Sequence, residues 1–240
     1  MQMAGTGERR RRVTPAPTVG AVLSRIGETQ APLPAAAVVV IGLAALAAVG
    51  VQEIWLLARH VNTIAHEGAH AIAGSAVGQR IRGVTLRPNA TGATAMSGGK
   101  AAGNVAVGFV GYLGSSAFGL GAAKLIELGH SAAVLWLTLL LLILLLVMLR
   151  SVFSFVPVLV IGGLLYIIAR YGSVGADSVT AYAVAWFLLL SGVRVVFDHG
   201  INAADAGSLA KLTHTRPGCW VWLWLIGSML ALAVGGIMLV

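Results

Sequence analysis

Long stretches almost free of charge recur along this chain, and no soluble domain can bury so many of them. A helix needs about 20 mostly apolar residues to cross the hydrocarbon of a bilayer. By that measure spans lie at 35–57, 101–125, 132–149, 152–169, 179–197 and 220–240, with a shorter apolar stretch at 61–77. Only 10% of the residues are charged, against about 25% in ordinary soluble domains. The expectation is an all-α polytopic membrane protein with about 6–7 transmembrane helices. The formal charge is +8, from 16 basic and 8 acidic residues. These bases flank the apolar runs, as anionic headgroups and the positive-inside rule require, so the charge does not point to nucleic acid. Cys219 is the single cysteine, which excludes an intrachain disulfide.

Residues 1–34 hold Arg9 to Arg12 and the prolines Pro15, Pro17, Pro32 and Pro34, with little hydrophobic periodicity. They are expected to form a disordered basic tail, held on the cytoplasmic side by its arginines. More than twenty residues separate those arginines from the first apolar run, so a signal peptide is not indicated. The membrane domain then covers 35–240.

The short stretch at 61–77 is made of small residues and carries His66-Glu67-Gly68-Ala69-His70. On a helix, residues four apart project from one face, so His66 and His70 can grip one Zn²⁺ ion together. Glu67 stands beside them as the proton acceptor of a metal hydrolase. Residues 79–99 break the apolar pattern. Partial alternation at 81–87, turn chemistry at 88–92 and a possible return at 94–96 predict a small β-hairpin after the motif helix. Gly111, Ser115 and Gly119 then recur every four residues, a stripe that lets another helix approach closely. Trp220, Trp222 and Trp224 open the last span as an interfacial anchor. No transporter-like internal repeat is evident.

A catalytic zinc generally has three protein ligands. Two histidines are in hand, and the remaining ionisable candidates are His60, Glu127, His130, Asp177, Asp198, His199, Asp205 and His214. Asp205 lies among small residues, in Asn202-Ala203-Ala204-Asp205-Ala206-Gly207, which would let its carboxylate approach a metal on another helix. The same residue type in the same place could equally cap a helix N-terminus. Asp198 is the runner-up as ligand.

The stretch Asn62-Thr63-Ile64-Ala65-His66-Glu67-Gly68-Ala69-His70-Ala71, the pair Gly111-Tyr112, and the segment 204–213 with Pro217 and Trp220 after it resemble the site-2 protease family of intramembrane zinc metallopeptidases. The compact bacterial branch is the nearest in pattern, and the resemblance runs from about residue 35 onward. It implies Zn²⁺ held by His66, His70 and Asp205, with Glu67 catalytic. It also implies a transmembrane or membrane-anchored protein as substrate, in a bacterial cell membrane. Two patterns depart from better-known members: Asn202, Asp205 and Gly207 only echo their aspartate motif, and the glycine-rich span lacks their asparagine. Two other functions fit the residues: a catalytically silent membrane scaffold that binds a partner, and a metal or proton transporter using the same three ligands. Nothing in the residues specifies an oligomeric state.

Overall fold

The computed structural model describes residues 18–240. Its elements run α1 (Val19–Gly27), α2 (Ala35–Gly50), α3 (Gln52–Ala76), β1 (Arg80–Leu86), β2 (Gly92–Ser97), α4 (Ala101–Glu127), α5 (Ser131–Met148), α6 (Val152–Tyr171), α7 (Val174–His199), a short 3₁₀ turn (Gly200–Asn202), α8 (Ala204–Thr213) and α9 (Pro217–Leu239). Among the described residues, α4, α5, α6, α7 and α9 are each long and apolar enough to cross a membrane. The expected helical architecture with one small hairpin is what the chain adopts.

The first span differs from expectation. Instead of running on to residue 57, it breaks at Val51, whose backbone is extended (φ −81°, ψ 119°), and α3 leaves α2 at 99°. Side chains around the corner explain why it is stable. Arg194 of α7 donates to the Gln52 amide oxygen at 2.8 Å and to the Val49 carbonyl, one of the acceptors that the end of α2 leaves unpaired. Asp198 accepts from Arg194 at 2.8 Å and from the Trp55 indole at 2.6 Å. The polar pair Gln52-Glu53 thus begins a new helix. Glu53 lies in its first turn, where a negative charge meets the positive end of the helix dipole.

At its other end α3 stops at Gly78, whose positive φ of 78° a side chain would resist. Gln79 N–H closes the turn on the Gly74 carbonyl, and the chain passes straight into β1. Strands β1 and β2 pair antiparallel, from Arg80 opposite Ser97 to Leu86 opposite Gly92, with a bulge between Ile81 and Gly83. The turn is tied down on α3, where Thr63 donates to the Ala90 carbonyl at 2.7 Å and Arg59 to that of Asn89 at 2.9 Å. The outer edge of β1 is covered by the α5–α6 link: Arg150 N–H bonds the Val84 carbonyl, and Ser154 accepts from Leu86 N–H. Strand β2 therefore holds the hairpin's other edge, toward the cavity described below.

Helix α4 is the centre of the bundle, packed on α3, α7, α8 and α9. Its small residues make this possible. A Cβ at Gly114 would meet Ala69 of α3, and one at Gly119 would meet Leu189 of α7. The core proper lies between α4, α5 and α7, around Leu135, Leu139, Ala185 and Leu189.

Half of the tail expected at 1–34 lies outside the described residues, which exclude 1–17. Of the remainder, Val19–Gly27 is helical, capped by Thr18 and pinned by Arg25 to Asp177 at 2.6 Å and to the Ala169 carbonyl at 2.8 Å. Residues 198–218, polar between the last two apolar runs, also contain a helix, α8. Its apolar residues Ala206 and Leu209 are fully buried against α4 and α9.

Candidate metal centre

Helix α3 presents His66 and His70 from one face, one turn apart, and α8 brings Asp205 to meet them from 135 residues downstream. The His66 and His70 Nε2 atoms lie 3.1 Å apart, and each is 3.3 Å from Asp205 Oδ2. Zinc bound tetrahedrally at about 2.0–2.1 Å would hold its ligand atoms about 3.3 Å from one another. The triangle matches that edge length. The donors also suit the ion, two imidazole nitrogens and one carboxylate oxygen.

Tautomer control points the same way. His70 Nδ1 lies 3.0 Å from the Val107 carbonyl, which can only accept. Nδ1 must carry the proton, so the Nε2 lone pair faces His66 and Asp205, the state a metal ligand needs.

Asp205 does not cap α8. Ala203 occupies the N-cap position, and Asp205 sits in the first turn with its side chain turned to the histidines. Of the two roles open to Asp205 in the sequence, proximity to the imidazoles is the one the fold adopts. Asp198 is elsewhere, committed to Trp55 and Arg194 at the α2–α3 corner. Its neighbour His199 lines the cavity beside the histidines. Asp177 pairs with Arg25, and Glu127 with Lys124.

Glu67 is buried, one residue round α3 from His66, and faces the hairpin. Its Oε2 accepts from the Thr94 hydroxyl of β2 at 2.5 Å. A Cβ on Gly92 would overlap the Glu67 carboxylate, so β2 can pass this close only as glycine. Gly111 plays the corresponding part for the metal side, since a Cβ there would overlap the His70 ring. From the sequence Gly92 belongs to a turn and Gly111 to a small-residue stripe, and neither contact is visible there. Thr94 carried no signal at all, because nothing local shows which strand residue meets Glu67.

These groups line a cavity of about 730 Å³, walled by α3, β2, α4, the end of α7 and the start of α8. Its polar surface, set among apolar helices, is where water can reach the histidines. On its α4 wall, Tyr112 lies edge-on to His66 with ring centroids 4.9 Å apart. Asn62, one turn before His66, accepts from Ser115 at 2.6 Å.

Residues 39–235 match the family model described as Peptidase M50B-like. No curated protein and no solved structure matched the chain.

Proposed function

The chain belongs to the Peptidase M50B-like family and is an integral multi-pass membrane protein; on that footing we propose that it is an intramembrane zinc endopeptidase that cuts membrane-embedded or membrane-anchored proteins. The observation that carries the proposal is the meeting of His66, His70 and Asp205, ligand atoms within 4.8 Å of one another, beside the buried carboxylate of Glu67.

In this reading His66, His70 and Asp205 hold the ion. Zinc, when bound, supplies Lewis acidity, enough to make water a nucleophile near neutral pH and to polarise a carbonyl. The remaining work belongs to the chain. The Val107 carbonyl fixes the His70 tautomer. Glu67 accepts the proton of the attacking water and returns it to the leaving nitrogen, a transfer worth about 10²–10⁴ in rate. Thr94 holds one carboxylate oxygen of Glu67, which leaves the other to take the proton. The cavity-side edge of β2 offers backbone donors and acceptors to an extended substrate strand, while the β1 edge is already taken.

Zinc analysis of detergent-purified protein, with cleavage of a panel of single-span membrane reporters, tests the proposal. Wild type should carry zinc and cleave, and Glu67→Gln should keep zinc and lose cleavage by about 10³-fold. A wild type that binds zinc without cleaving any reporter supports a partner-binding scaffold. Metal flux into liposomes that survives Glu67→Gln supports a transporter. Either outcome sinks the peptidase.

A further inference from the structure

In amide hydrolysis negative charge gathers on the carbonyl oxygen, and a fixed hydrogen-bond donor aimed at that atom lowers the barrier. Glu67 and the three metal-facing residues have other tasks. Several further cavity-lining side chains carry an N–H or O–H: Thr63, Gln79, Thr91 and Thr94 donate within the chain, and Ser97, Asn104 and Asn202 stand on the walls with Asn62, Tyr112 and His199. Asn62 is drawn toward α4 by Ser115, which donates to its amide oxygen. The His199 Nδ1 lies 3.1 Å from the Val195 carbonyl and must give its proton there, so a neutral ring has only an acceptor left for the cavity.

Tyr112 is placed differently. Its ring is held on three sides: edge-on to His66, stacked on Trp224 at 4.4 Å, and beside His199 at 5.9 Å. Trp224 is itself fully buried and anchored by its indole N–H to the Phe109 carbonyl at 2.8 Å. Among the described residues none hydrogen-bonds the Tyr112 hydroxyl, and that oxygen is not among the sealed, unpaired polar atoms. An immobilised ring on the cavity wall, against the ring of a candidate ligand, therefore carries an uncommitted O–H.

We infer that the Tyr112 hydroxyl donates a hydrogen bond to the carbonyl oxygen of the scissile peptide bond, as a second catalytic residue beside Glu67. The inference rests on the peptidase reading above. As water oxygen bonds to the carbonyl carbon, its proton passes to Glu67 and the C=O π pair moves onto oxygen, where the Tyr112 O–H meets it. When the C–N bond breaks, that pair re-forms C=O and the nitrogen takes the proton from Glu67. Tyr112 keeps its own proton, and nothing is oxidised or reduced. The ring's packing and the hydroxyl's chemistry are separable, because phenylalanine preserves the first and removes the second.

The test compares purified, zinc-loaded wild type with Tyr112→Phe. Zinc per chain and the thermal unfolding midpoint should be unchanged. Affinity for acetohydroxamate, a small zinc-directed probe carrying a carbonyl oxygen, should weaken about 10-fold. Turnover of a single-span reporter cleaved by wild type should fall about 100-fold in kcat with KM little altered. A Tyr112→Phe protein that binds the probe and cleaves as wild type does overturns the inference and leaves the peptidase standing. Loss of zinc from Tyr112→Phe also overturns it, since the phenol would then be supporting His66. Wild type that holds no zinc, or cleaves nothing, sinks the underlying reading and this inference together.

Discussion

Asp177 and Asp205 are two carboxylates drawn in among the helices, the first in the first turn of α7 and the second beside the cavity that the end of α7 helps to wall. At the α1 end, Asp177 is almost fully buried and receives Arg25 at 2.6 Å, while the same guanidinium also donates to the Ala169 carbonyl. The charge there is balanced by a cation of fixed protonation, and the pair staples α1 to α6 and α7. At the cavity end, Asp205 faces two imidazoles at 3.3 Å, one of them locked with its lone pair turned inward. All three corners can accept or coordinate, which is the donor set of a cation site. The difference teaches how to tell a staple from a site. A carboxylate opposite a guanidinium already has its counter-charge within the chain, and one opposite imidazole lone pairs is built to take up a cation.

Substitutions can break or sharpen this contrast, and the largest effect belongs to the site. Asp205→Ala should abolish both zinc retention and cleavage, as elemental analysis and a reporter assay would show. If zinc stays at one per chain, the contrast between the carboxylates fails. Gly111→Ala leaves every ligand in place but drives a methyl into His70. Zinc affinity should fall about 10–100-fold, the usual cost of disturbing a ligand's support. Competition with a chelator of known strength measures it.

Thr94→Val removes one hydrogen bond to Glu67 and touches no ligand. Reporter turnover should drop about 10-fold, in line with a loss of 1–1.5 kcal/mol, at unchanged zinc content. Arg25→Met sits at the other pole of the comparison. Stripping the partner from a buried carboxylate should lower stability by up to about 3 kcal/mol, the lower end of the usual range because Arg25 is partly exposed. Its effect on zinc content should be nil. Thermal unfolding in detergent beside metal analysis separates the two, and zinc loss from this variant would show that the staple and the site are coupled.

The pair of carboxylates also shows what was legible beforehand. His66, Glu67 and His70 could be read because helical periodicity fixes residues four apart on one face, whatever surrounds them. Asp205 could not be separated from a helix cap by its own neighbourhood; the family pattern around it favoured the ligand role. Asp198 and His199 illustrate the limit. They are adjacent on one helix, yet Asp198 is held at the corner and His199 lines the cavity. That choice depends on where Trp55 and Arg194 lie, which no local pattern reveals. Most spans were legible from apolar length alone, since hydrocarbon sets that length. The break at Val51 was not, because Arg194, 143 residues away, supplies the partners that make it stable. Helix α1 was hidden for a similar reason: a nine-residue helix is marginal by itself, and Arg25 docks this one on α6 and α7.

The corner at Val51 bears on the lipid as well as on the protein. Helix α2 has 16 residues, about 24 Å of rise against a hydrocarbon layer of about 30 Å. The shortfall of about 6 Å predicts a thinning of the leaflet beside α2 and α3, with acyl chains bending inward around the corner. Short-chain phosphatidylcholine should therefore match the enzyme better than long-chain lipid, and reporter cleavage in bilayers of graded thickness would register the preference.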